Sequence, residues 1–129
     1  MLNKVLCVDD DPITLMLCKK VIERVNYTKE VNTAKNGEDA LEYFSELKIN
    51  EIEPPELVLL DLNMPIMNGW ELLDKYLELE FNLIFTKTKF IVLSSTIDPS
   101  DIEKSKSYPM VIDFISKPIT KDILAELKL

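Results

Sequence analysis

Histidine is missing from all 129 residues of the chain. Imidazole is the side chain whose ordinary pKa lies nearest neutrality, so its absence excludes histidine-based acid/base catalysis, histidine metal ligation and a phosphohistidine carried by this chain. Long apolar runs are missing as well. No stretch reaches the about 18 residues a membrane helix needs, and the start MLNKVLCVDD lacks the basic, then apolar, then small-residue order of a signal peptide. The expectation is a cytoplasmic protein with no membrane attachment.

Cysteine is scarce, and basic charge is in deficit. Cys7 lies in an apolar strand-like run and Cys18 in a helical pattern; both read as small buried hydrophobes rather than a disulfide. Fifteen basic against 23 acidic side chains give a net charge of -8, which opposes attraction to nucleic acid or anionic lipid. Direct DNA binding is therefore not expected. No repeat, low-complexity tract or flexible linker breaks the chain, and its length, with 47% hydrophobic and 29% charged residues, suits a single core.

Apolar runs of strand length alternate with segments of helical period, which predicts an α/β fold with a parallel sheet covered by helices on both faces. The first strand is read at Lys4 to Val8, followed by a helix that starts at the N-cap signal Asp11-Pro12 and turns Ile13, Met16, Leu17, Val21 and Val25 to one face. A second strand around Lys29 to Thr33 leads through Asn36-Gly37 to a helix with Ala40, Leu41, Phe44 and Leu47 inward. Glu56 to Leu60 is the third strand, ending at Asp61, and a third helix follows from about Trp70 to Leu79. A fourth strand, Phe90 to Leu93, ends at Ser94 before the cap signal Asp98-Pro99 of a short fourth helix. Val111 to Ile115 is the fifth strand and leads into Lys117-Pro118. A last helix from about Thr120, with Ile123, Leu124 and Leu127 on one face, has barely two turns before the chain stops; Asn82 to Lys89 is the stretch this periodicity assigns least well.

In an open parallel sheet, ligands bind beyond the carboxyl ends of the strands. Asp9 and Asp10 follow strand one, Asp61 strand three, Ser94 strand four and Lys117 strand five, and the flavodoxin-like strand order 2-1-3-4-5 would gather them. Three carboxylates with ordinary pKa near ~4 would repel one another if packed together, and one lysine offsets only one of the three charges. A divalent cation supplies the rest, and an all-oxygen donor set favours Mg²⁺ over a transition metal. A carboxylate can itself attack phosphorus to give an acyl phosphate, a reaction that needs positioning and charge neutralisation more than a general base. Asp61 fits that nucleophile.

The motifs CVDDDP, LLDLNMPIMNG, the Ser94-Ser95 pair after an apolar strand, and FISKP, in this order, resemble the response-regulator receiver domain of two-component signalling, of the single-domain chemotaxis-regulator type, over residues 1-129. The resemblance implies that Asp9, Asp10 and Asp61 hold Mg²⁺ together with the backbone carbonyl of Asn63, that Asp61 is the phosphoacceptor and that Lys117 contacts the phosphoryl oxygens. It makes Ser94 the switch hydroxyl and Phe114 the aromatic that repacks with it, and it implies a cis Lys117-Pro118 bond. The family more often has Thr and Tyr at the Ser94 and Phe114 positions; serine keeps the hydroxyl, whereas phenylalanine cannot hydrogen-bond a partner. If the register slips by one, Ser95 replaces Ser94.

The implied function is a signalling receiver rather than an enzyme. It takes a phosphoryl group from a histidine kinase or histidine phosphotransfer protein in trans and shows a downstream protein the face built from the fourth helix, fifth strand and fifth helix. Two alternatives stand beside it. A haloacid-dehalogenase-like phosphatase also uses an aspartyl nucleophile with Mg²⁺, but wants a second Asp two residues on, where this chain has Asn63. A phosphorylation-independent binding module would keep the fold without the chemistry.

Overall fold

A computed structural model of the chain describes residues 1–127. Five parallel strands, β1 (Leu2–Val8), β2 (Thr28–Ala34), β3 (Leu57–Asp61), β4 (Lys89–Ser94) and β5 (Val111–Ser116), form one sheet in the order β2-β1-β3-β4-β5. The connecting helices are α1 (Pro12–Arg24), α2 (Gly37–Ile49), α3 (Gly69–Glu78), α4 (Phe81–Ile84), α5 (Pro99–Ser105) and α6 (Lys121–Glu126). The doubly wound order anticipated from the sequence is the one found. The fourth and fifth helices expected from sequence are α5 and α6, because the single turn α4 intervenes.

Strand alternation sorts the buried residues into two cores. Val5 and Cys7 of β1, Leu57 and Leu59 of β3 and Ile91 and Leu93 of β4 meet Cys18 and Ile22 of α1 and Leu124 of α6. On the other face Leu6, Val8, Val58, Leu60 and Phe90 meet Ala40, Phe44 and Leu47 of α2 and Leu72, Leu73 and Tyr76 of α3. Phe44 lies at the centre of this second core, edge-on to Tyr76 at 5.1 Å and stacked on Phe90 at 6.2 Å. The Tyr76 hydroxyl is the one buried side-chain polar atom among the described residues without a hydrogen-bond partner.

The helix starts follow from capping. Asp11, Asn36 and Asp98 each accept a backbone N–H of the first turn, as do Asn68 and Thr120. Asn68 also forms a reciprocal capping box with Glu71, which places the start of α3 one residue before the expected Trp70. At that start the backbone of Gly69 closes on β3's exit: a Cβ there would meet the Asp61 carbonyl oxygen at 2.6 Å and the Leu62 Cα at 2.9 Å. Backbone atoms cannot step aside, so Gly69→Ala is expected to destabilise the chain by about 3 kcal/mol in urea unfolding, with the loop that follows Asp61 displaced.

The face expected of α1 is corrected by the structure. Ile13, Met16, Leu17 and Val25 are exposed and Val21 is half-buried, while Cys18 and Ile22 carry the burial. Apolar residues occur on several sides of this helix, and the stripe that reaches the core runs through Leu15, Cys18 and Ile22, with Val21 packed beside it. On α2 the expected set holds, with Ala40, Phe44 and Leu47 buried and Leu41 packed against them. On α6 the expected set also holds, with Leu124 buried and Ile123 and the C-cap Leu127 packed against the same core.

Candidate functional site

Three strand ends converge. Asp9 follows β1, Asp61 closes β3 and Lys117 follows β5. Asp9 and Asp61 continue the alternation of Val5 and Cys7 and of Leu57 and Leu59, so both point to the α1 and α6 side. The Lys117 ammonium lies 2.7 Å from Asp9 Oδ2 and 3.2 Å from Asp61 Oδ1, bridging residues 108 and 56 positions away in sequence. Its backbone N–H donates to the Ser94 carbonyl at 2.8 Å, which anchors the segment after β5 to the end of β4. Lys117-Pro118 is cis.

Asp9 is held from behind, its Oδ1 accepting the Asp11 N–H at 3.0 Å, while Asp11 itself caps α1. Asp10 is exposed, yet Asp9, Asp10 and Asp61 each offer a carboxylate oxygen within 4.8 Å of the other two. The cluster is thus a half-buried wall of three carboxylates with an open side at Asp10. Asn63, the predicted carbonyl donor, is exposed two residues beyond Asp61.

The electrostatics show an imbalance. Burial pushes the Asp61 carboxyl above its ordinary 3.8, the Asp9 charge pushes further, and Lys117 only partly opposes them. Burial works against the Lys117 charge, but the bond to Asp9 and the charges of Asp61 and Asp9 outweigh it and hold the ammonium above its ordinary 10.5. Three acids and one base leave the cluster two negative charges in excess, and at Asp61 burial disfavours the charged form. The donor set is all oxygen with no thiol or imidazole among it, which suits a hard dication such as Mg²⁺. The residues fit that ion.

Ser94 is buried at the end of β4, one position past Leu93, the β3-pairing partner of Asp61. Its hydroxyl oxygen accepts the Thr96 N–H at 3.3 Å. Phe114, half-buried on β5, pairs with Val92, two residues before Ser94, and so shares the Ser94 side of the sheet. Ser95 is exposed and borders a groove beside Lys117 and Pro118.

Two features escaped the sequence reading. Trp70 stacks on Tyr108 with centroids 5.9 Å apart under the Lys104 ammonium, 4.4 Å from its ring, and the Tyr108 hydroxyl donates to Asp74 at 2.7 Å. Together they tie α3 to α5 and the turn after it; no local pattern announces a contact across 34 or more positions. The second is the meeting of Cys7 and Cys18 beside the site, legible only once strand parity and the true face of α1 are known.

The family model described as the response regulator receiver domain matches residues 5–127. A protein-glutamate methylesterase/protein-glutamine glutaminase of Methanococcoides burtonii is 31% identical over 116 residues, 89% of this chain and 30% of that protein. Hybrid signal transduction histidine kinase L of Dictyostelium discoideum is 31% identical over 129 residues, 98% of this chain and 7% of that protein. The chain therefore spans under a third of these curated relatives. A two component response regulator from Cytophaga hutchinsonii has the same architecture, with a TM-score of 0.88 and 31% identity over 96% of this chain and 92% of that one. No helix among the described residues is long and apolar enough to cross a membrane.

Proposed function

The chain belongs to the response regulator receiver family of two-component signalling, and on that premise we propose that Asp61 accepts a phosphoryl group from a phosphohistidine on a kinase or phosphotransfer protein. The observation that carries the reading is the Lys117 ammonium bonded at once to Asp9 and Asp61 within an acidic cluster that one lysine cannot neutralise.

In the step envisaged, an Asp61 carboxylate oxygen forms the new O–P bond as the donor's N–P bond breaks, and the imidazole leaves with a proton from water. The Asp61 oxygen is already fixed at the end of a buried strand, so little orientational freedom remains to be lost. Lys117 stands where it can shift from the carboxylates to the incoming phosphoryl oxygens. Asp9, Asp10, Asp61 and the Asn63 carbonyl would hold Mg²⁺. When bound, the ion offsets the charge on the cluster and on the transferring group.

Once the phosphoryl group is on Asp61, the Ser94 hydroxyl, whose oxygen accepts the Thr96 N–H in the free chain, turns to donate its O–H to a phosphoryl oxygen. Phe114, on the same side of the sheet, repacks with it. That changes the surface of α5, β5 and α6, which a downstream protein reads. Phe114 has no hydroxyl, so its part in the switch is one of packing alone.

Metal uptake is the test. With free Mg²⁺ at one hundred times its dissociation constant, the chain is expected to gain about 2.7 kcal/mol of stability, read as a rise in the thermal midpoint. Asp10→Asn should lose most of this gain while folding normally, because Asp10 is exposed. A parent chain whose midpoint ignores Mg²⁺ would refute the reading.

A further inference from the structure

Asp9 and Asp61 share their side of the sheet with a pair of thiols. Cys7, two residues before Asp9 on β1, projects to the same face, and Cys18, from the middle of α1, meets it with the two sulfurs 3.5 Å apart. Both thiols are free and buried. An isolated buried cysteine is inert packing, but two things set this pair apart. The sulfurs are already in contact across two different elements, so little movement separates them from the bonding distance of about 2.05 Å. Cys18 also lines a groove of about 230 Å³ between α1 and the segment after β5, beside Thr14, Leu17 and Lys117, which brings a small molecule up to that residue.

We propose that Cys7 and Cys18 are a redox-active dithiol which peroxide-class oxidants close to an intrachain disulfide, fastening α1 to β1 beneath the acidic site. In the first step the Cys18 sulfur attacks one oxygen of hydrogen peroxide. The O–O bond breaks, and the departing hydroxide takes up the thiol proton as water, leaving a sulfenic acid. In the second step the Cys7 sulfur displaces that hydroxyl, forming the S–S bond and releasing a second water. The two thiols lose two electrons and two protons, and one peroxide becomes two waters. A dithiol reductant reverses the reaction.

The bond has a route to the site. Cys7, Cys18, Asp9 and Asp61 line one small cavity, and Asp11, the N-cap of α1, holds the Asp9 carboxylate through its N–H. A covalent tie between β1 and α1 therefore shifts the support of the cluster's most buried acid. This consequence rests on the magnesium reading above, whereas formation of the disulfide does not.

The test uses the full chain, reduced and then treated with hydrogen peroxide, and reads intact mass, thiol labelling after denaturation, and the Mg²⁺ dependence of the thermal midpoint. The oxidised chain should be lighter by about two mass units, have no free thiol, remain a monomer on a non-reducing gel and revert with dithiothreitol. Its Mg²⁺ affinity should differ about tenfold from that of the reduced chain, the size of change that repositioned supporting groups bring about. Cys7→Ala and Cys18→Ala should each prevent the mass loss and give a magnesium response indifferent to peroxide. Survival of both thiols, oxygen adducts without pairing, or disulfides only between chains would overturn the dithiol. A disulfide that forms with the magnesium response unchanged would overturn the coupling. A reduced chain with no magnesium response would refute the site reading and leave the dithiol standing.

Discussion

Asp61→Asn is expected to abolish phosphoryl uptake from acetyl phosphate and Mg²⁺, lowering the rate at least about 10³-fold, as removal of a reacting nucleophile does. The change is nearly isosteric, so β3 and its pairing with β1 and β4 should survive. The folded chain should in fact become more stable without metal. Asp61 is buried, and burial and the Asp9 charge both push its carboxyl up, so its ionised form opposes folding at neutral pH. The sign follows from proton binding: the folded parent holds the Asp61 proton to higher pH than the unfolded chain. Metal-free stability therefore falls as pH rises from about 3.8 through the folded value. Asp61→Asn removes that fall and should gain on the order of 1 kcal/mol near neutrality, the size of an ordinary single-site effect. Urea unfolding of both chains across pH 3 to 7 checks it, and labelling of Asp61→Asn at the parent rate would refute the acceptor assignment.

Lys117→Ala has the second large effect, and its two parts separate. Phosphoryl uptake should fall about 10²–10³-fold, the usual cost of one donor lost to developing charge. Metal-free stability should also fall, by about 3 kcal/mol, because Asp9 and Asp61 lose their shared cation while staying buried. Mg²⁺ should restore most of the stability but little of the rate, since the ion replaces charge without replacing the ammonium's hydrogen bonds. The parent should show an alkaline limb as well. The Lys117 ammonium is held above its ordinary 10.5, so its contribution is whole below that value and is lost as pH rises through the folded one. In Lys117→Ala that limb should flatten. If the variant kept the parent's rate and midpoint, the ion pairs would be incidental.

Strand ends were the readable part of this molecule. An apolar run that stops at an acid or a lysine names both the element and the residue delivered to the rim, and Asp9, Asp61 and Lys117 all lie where such runs end. Caps were readable for the same local reason: Asp11 and Asp98 stand one residue before a proline that opens a helix. The face of α1 was not. Ile13, Leu15, Met16, Leu17, Cys18, Val21, Ile22 and Val25 cover most of its circumference, so periodicity alone supports more than one stripe. Only the position of the sheet decides that Cys18 and Ile22 go inward.

The turn α4 escaped because four residues cannot show a helical period; Phe81 and Phe85 hold it by packing on the ring of Phe44. Ser94 and Phe114 could be placed on their strands, but their shared side of the sheet depends on a register shift between Phe90 and Ile91 that nothing in the local sequence marks.

The acceptor can be located directly by phosphorylating the parent chain with acetyl phosphate and Mg²⁺, reducing the acyl phosphate with borohydride to a stable alcohol, and mapping the altered residue by peptide mass. The account predicts a single conversion, at Asp61, that disappears when Mg²⁺ is chelated. Conversion at Asp9 or Asp10, stable phosphate on a serine or threonine hydroxyl, or no incorporation under saturating Mg²⁺ would contradict it.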